Sequence, residues 1–130
     1  MDIHLVILAI WLLESSRGSN MNHPSGHAHG HLGIEDITIR DLNERAGYEK
    51  WTVADTMDKA KSFAMAEEHI RNYKMQDKTA YEIFLFWRLG YSGMKRPFPK
   101  ALEYAAKGVD EYVRLKLAKE ESERKGVNNA

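Results

Sequence analysis

The chain has no cysteine, no excess of either charge, no internal repeat and no apolar run of membrane-spanning length. Each absence removes a class of protein. Without cysteine there are no disulfides and no thiolate metal sites, and the redox compartment is left open. Nineteen basic residues balance nineteen acidic ones, so no global field draws the chain onto nucleic acid or anionic lipid. No segment gathers Lys and Arg on one helix face beside polar base readers, and the basic residues of the last helical segment alternate with acids. Nucleic acid is the least expected partner. The longest apolar run, residues 3–13 with His4 inside it, falls well short of the roughly 20 residues a span requires. Asp2 precedes it and Glu14 follows it, whereas a secretory signal opens on basic residues and closes on small ones. A buried helix is expected, with no stable membrane span and no signal peptide. The alternative is a weak membrane-arrest segment.

What remains is 130 residues, 43% apolar and 29% charged, enough for one globular domain with a core of its own. No stretch alternates as a half-buried strand does, so the fold class is all-α. Residues 2–15 read as a helix apolar nearly all round, which marks a central helix, and Ser15, Ser16 and Gly18 supply its stop. Residues 19–32 turn to Asn, His, Pro and Gly and read as loop. Helical spacing returns over 33–46 through Ile34, Ile37, Leu42 and Ala46, with Gly47 as terminator. Thr52 and Asp55 have the spacing of a cap, and Asp58 opens a helix to about Met75. A fourth helix spans 78–89 and ends in a tight loop over residues 90–93. Pro97, Phe98 and Pro99 start the last, whose buried set is Ala101, Leu102, Tyr104, Ala105, Val109, Tyr112, Val113 and Leu115. Residues 1–117 form the domain, and 118–130 a charged tail, either a solvated helix end or disordered.

Glu14 is the first anomaly. Helical spacing puts it on one face with Ile7, Ile10 and Trp11, at the helix C-terminus. Apolar neighbours and the negative end of the helix dipole both oppose ionisation. A carboxyl kept protonated near neutral pH is what a general acid toward a glycosidic oxygen needs.

The run Leu12-Leu13-Glu14-Ser15-Ser16-Arg17-Gly18-Ser19-Asn20 resembles the Glu-Ser motif of the lytic transglycosylase and goose-type lysozyme superfamily. There a catalytic Glu ends a buried helix and a Ser follows it. His31-Leu32-Gly33-Ile34-Glu35-Asp36-Ile37 is similar to that family's Gly-Leu-Met-Gln segment, with Gly33 matching and Asp36 standing where Gln is usual. Phe86-Trp87-Arg88-Leu89-Gly90 resembles its Ala-Tyr-Asn-x-Gly motif, with Trp87 for Tyr, Arg88 for Asn and Gly90 matching. The three motifs fall in family order within residues 2–115. Their resemblance implies a small lysozyme-like helical domain with a substrate groove. It implies cleavage of the β-1,4 bond between N-acetylmuramic acid and N-acetylglucosamine in peptidoglycan, with Glu14 as proton donor and no cofactor or metal. Ser15, Ser16, His31, Gly33, Trp87, Arg88, Gly90 and Tyr91 are then the expected substrate contacts. The Asp36 and Arg88 departures imply a changed subsite, an Asp–Arg contact across the cleft, or a domain that binds without cutting. A transglycosylase closes an anhydro ring with the sugar's own C6 hydroxyl, whereas a hydrolase needs a base for water. Asp36 is the candidate base, with Glu35 behind it. A monomer acting on the periplasmic cell wall, encoded by a phage, fits this reading.

Two further features stand out. His23, His27, His29 and His31 lie within nine residues. Neutral imidazole binds Zn²⁺, Ni²⁺ or Cu²⁺, but structural zinc ligands come from separated segments on a rigid support. An active-site loop is the plainer reading. Tyr81, Phe84, Phe86, Trp87 and Tyr91 form an aromatic set, of which Trp87 and Tyr91 are the cleft candidates. Lys95 and Arg96 follow the Gly93 turn, where they would meet acidic peptide stems. The alternative function is a non-catalytic all-α module that binds a metal or a protein through the His-rich loop.

Overall fold

The computed structural model describes residues 1–128 as an all-α protein of five helices with one very small sheet. Helix α1, Ile3–Ser15, starts at Asp2, whose carboxylate accepts from the backbone N–H groups of His4 and Leu5. Its buried side chains, among them Leu5, Val6, Ile7, Ala9 and Ile10, point in several directions. That distribution makes α1 the central helix, packed on three others. The remaining helices are α2 (Asp36–Ala46), α3 (Lys59–Asn72), α4 (Ala80–Gly93) and α5 (Pro99–Asn128). None of the described helices is long and apolar enough to cross a membrane.

Local chemistry sets the boundaries. Thr52 and Asp55 form a reciprocal capping box, but over a short 3₁₀ turn, Val53–Met57. Asp58 then caps α3 by accepting from the Lys61 N–H. Helix α3 stops three residues before Met75, because Lys74 takes a left-handed conformation and a side chain there cannot continue a right-handed helix. Thr79 and Glu82 make a second capping box that starts α4. Gly90 breaks α4 with non-helical angles, and a last helical turn follows to Gly93 where a plain loop is expected from sequence.

Two expectations are corrected. Residues 28–35 are not all loop and helix. Ala28–His29 (β1) pairs antiparallel with Ile34–Glu35 (β2), so α2 opens at Asp36 rather than at residue 33. Leu102 and Val113 are exposed, because the buried stripe of α5 runs through Ala101, Ala105 and Tyr112, one position away from each. Residues 118–128 continue α5 as helix, and those through 126 are solvent-exposed. Asn129 and Ala130, at the end of the charged tail, lie outside the described residues.

The core lies where α1, α3, α4 and α5 meet. Phe84 and Phe86 are both buried although they face different sides of α4. The hairpin sends Leu32 and Ile34 into this core and also packs against the 3₁₀ turn, with the His31 N–H donating to the Thr56 carbonyl. Thr56 is fully buried, and a Cβ on residue 30 would collide with its carbonyl group. Only glycine, at φ +74°, fits position 30.

Candidate active site

Glu14 occupies the last turn of α1, and the chain leaves it sharply. Ser16, Arg17 and Gly18 are all left-handed, and the Ser16 N–H closes back onto the Leu12 carbonyl. Ser15 secures this turn. It is buried, its hydroxyl lies 3.2 Å from the Trp11 carbonyl and accepts from the Gly18 N–H at 2.8 Å. It is therefore a turn lock, and its expected contact with substrate is corrected. Ser16 is exposed at the start of the turn.

The Glu14 carboxyl points inward. Its Oε1 accepts from the Tyr104 hydroxyl at 2.8 Å. Its Oε2 faces Gly33, where a Cβ would stand 2.6 Å away, with the His23 ring on the same side. Gly33 is also left-handed, at φ +62°. Glycine at 33 thus serves both the hairpin turn and the space beside the carboxyl.

Burial dominates the electrostatics and raises the proton affinity of Glu14 above that of an ordinary glutamate. The Tyr104 hydrogen bond opposes this, as do the charges of Arg88 and His23, while Glu35 reinforces it. Burial and the adjacent Glu14 push the Tyr104 phenol far above its usual range, so it remains a donor. With Oε1 accepting from that donor, Oε2, which faces Gly33, is the oxygen left to hold a proton.

Arg88 lies beside this pair, its guanidinium carbon 5.8 Å from the Tyr104 ring centroid. Arg88 and Glu35 both line an open groove of about 800 Å³. Residues of α2 form one wall, including the exposed Ile37. Trp87, Gly90, Tyr91 and Phe98 form the other, and His69 and Tyr73 of α3 contribute to the lining. The Trp87 indole N–H donates to the Leu32 carbonyl, which fixes its ring against the hairpin. His31 faces another way, with its Nδ1 accepting from the Trp11 indole N–H at 3.1 Å.

Of the residues expected at the site, Glu14 and Gly33 lie against each other, and Arg88, Trp87, Gly90 and Tyr91 line the groove, whose lining does not include Glu14 or Gly33. Arg88 is near enough for its charge to act on Glu14. Asp36 does not join them. Its carboxylate is bound by His29 Nε2 at 2.7 Å and lies 3.7 Å from His27 Nδ1, and it lines a different depression beside Tyr48 and Val53. The expected Asp36–Arg88 contact is therefore absent, because the first turn of α2 directs Asp36 and Glu35 to different faces. No three His, Asp or Glu side chains among the described residues are placed to share a metal ion.

Sequence reasoning placed Tyr104 in the buried stripe of the last helix and His23 in the His-rich loop, but set neither beside Glu14, and it gave His69 no role at a site. For Tyr104 a signal existed, since a hydroxyl in an otherwise apolar stripe requires a partner. His69 is mostly buried, stacked on Phe86 at 4.9 Å, with its Nδ1 lacking a hydrogen bond. Burial lowers its pKa to about 4. Comparison with protein-family models, curated proteins and solved structures gives no match for this chain.

Proposed function

We propose that the chain is a lysozyme-like enzyme that cleaves peptidoglycan glycan strands, with Glu14 as general acid. The observation that carries this reading is the asymmetry of one buried carboxyl group: Oε1 bound by Tyr104, and Oε2 left beside a glycine, with Arg88 of the neighbouring groove acting on it by its charge. A desolvated carboxyl with raised proton affinity and one oxygen left without a donor is equipped to protonate a leaving sugar oxygen. Arg88 then lowers the cost of the carboxylate left after transfer.

The groove suits a polymer of sugars. Ile37, Tyr91 and Phe98 present exposed apolar faces along it, and Trp87 is partly exposed between them. Such faces pack on sugar C–H surfaces, with polar neighbours left for hydroxyls. The site needs no cofactor for this chemistry. The periplasmic cell wall as place of action follows from the resemblance of the three motifs.

Clearing of chloroform-treated Gram-negative cells, followed by turbidity, tests the proposal. Wild-type protein is expected to clear them, and Glu14→Gln to lose activity by a hundredfold or more. Equal clearing by both, or none by either, removes the reading.

A further inference from the structure

We infer that Glu35, rather than Asp36, supplies the base that makes this site a hydrolase, an inference that rests on the cleavage reading above. Five observations converge on Glu35. It lines the same groove as Trp87 and Arg88. It is exposed, and among the described residues its side chain makes no ion pair or hydrogen bond, while its backbone pairs with Ala28. Two residues separate it from Gly33, which lies against Glu14 Oε2, so its Cα stands within about 7 Å of the Gly33 Cα. Its charge is felt by Glu14.

The fifth observation is a local rule left unused. Glu35 holds the N-cap position of α2, yet its side chain makes no capping bond. Ser, Thr, Asp or Asn would satisfy an orphan N–H there and stabilise the helix by about 1 kcal/mol. A residue that forgoes such a bond while its carboxylate reaches into a groove is placed for the groove. Asp36, one residue on, is bound by His29 and faces the other depression.

The step balances without a further reactant. A water oxygen bonds to C1 of N-acetylmuramic acid as the C1–O bond to N-acetylglucosamine breaks. The water gives one proton to the Glu35 carboxylate, and Glu14 Oε2 gives its proton to the departing oxygen. Without the base, the sugar's own C6 hydroxyl is the remaining nucleophile and the product is an anhydro sugar.

The test digests purified sacculi in water labelled with heavy oxygen and reads the muropeptides by mass spectrometry. Wild-type protein is expected to place labelled oxygen at C1. Glu35→Gln should cut the labelled product about a hundredfold, leaving anhydro ends, while Asp36→Asn keeps the wild-type product ratio. Thermal melts of Glu35→Gln and wild type should coincide, because the side chain makes no contact to lose. Wild-type digests with anhydro ends only, or labelled product unchanged in Glu35→Gln, overturn the assignment while leaving cleavage intact. A wild-type protein inert on sacculi removes the cleavage reading and this assignment together.

Discussion

Two halves of this molecule are held by different forces. The helical frame of α1, α4 and α5 is held by apolar burial, with Ile7, Ile10, Phe84 and Ala105 sealed from solvent. The hairpin and its 3₁₀ support bury only Leu32 and Ile34 in that core and rely otherwise on left-handed glycines, backbone hydrogen bonds and side-chain-to-backbone contacts such as His23 to Gly30 at 2.7 Å. Glu14 sits where they meet. The frame takes water away from its carboxyl, and the hairpin leaves one oxygen free. Neither half alone makes the general acid proposed for Glu14.

The largest test removes frame and keeps hairpin. Phe84 is fully buried, and Phe84→Ala should cost about 4 kcal/mol, read as a cooperative loss of stability in urea. Next comes acid lability. His69 has a pKa lowered by burial from 6.5 to about 4, with Asp41 partly opposing the shift and Arg45 adding to it. Its folded pKa lies below its unfolded one, so its stabilising contribution is full above 6.5 and is lost as pH falls toward 4. That loss is roughly 3 kcal/mol, and His69→Phe should flatten the stability profile across this window. A melt whose pH slope is unchanged in the variant refutes the assignment.

Smaller effects are expected on the hairpin side. Gly30→Ala pushes a methyl into the Thr56 carbonyl and strains a left-handed residue. About 2 kcal/mol of stability should go, with sacculus cleavage lost while far-ultraviolet helicity persists in the folded protein. Equal activity in that variant would show that the hairpin does not position the site. The smallest effect sharpens the junction. Tyr104→Phe removes the hydrogen bond that lowers the proton affinity of Glu14. A general acid works while protonated, so the alkaline limb of the activity profile should move to higher pH, at a stability cost of about 1 kcal/mol. A limb that stays or moves down contradicts the role given to the hydroxyl.

The frame was far more legible in the sequence than the hairpin. An unbroken apolar run ending in Glu14 and two serines announces a central helix and its terminus. The 3.6-residue spacing of α3, α4 and α5 is equally plain. Two-residue strands carry no periodicity, however, and Ile34 belongs to a helical pattern as readily as to β2. Their pairing depends on the conformations of Gly30 and Gly33, which letters alone do not disclose. The same limit separates Asp36 from Glu35. Which acid faces the groove depends on where the first turn of α2 begins, and moving that start by one residue rotates the side chains by about 100°. Tyr104 was legible as buried, but its partner lies 90 positions away in the chain, beyond any local pattern.

Helix α5 touches both ends of α1. Tyr104 holds Glu14 at one end, while Tyr112 accepts from the Asp2 N–H and Lys119 meets the Asp2 carboxylate at the other. The two helices are thus splinted antiparallel, and α1 cannot slide along its axis without breaking contacts at both ends. Backbone amides of α1 and of the first half of α5 should therefore exchange with solvent as a single cooperative unit, so the carboxyl is lost from its seat only when the whole splint opens.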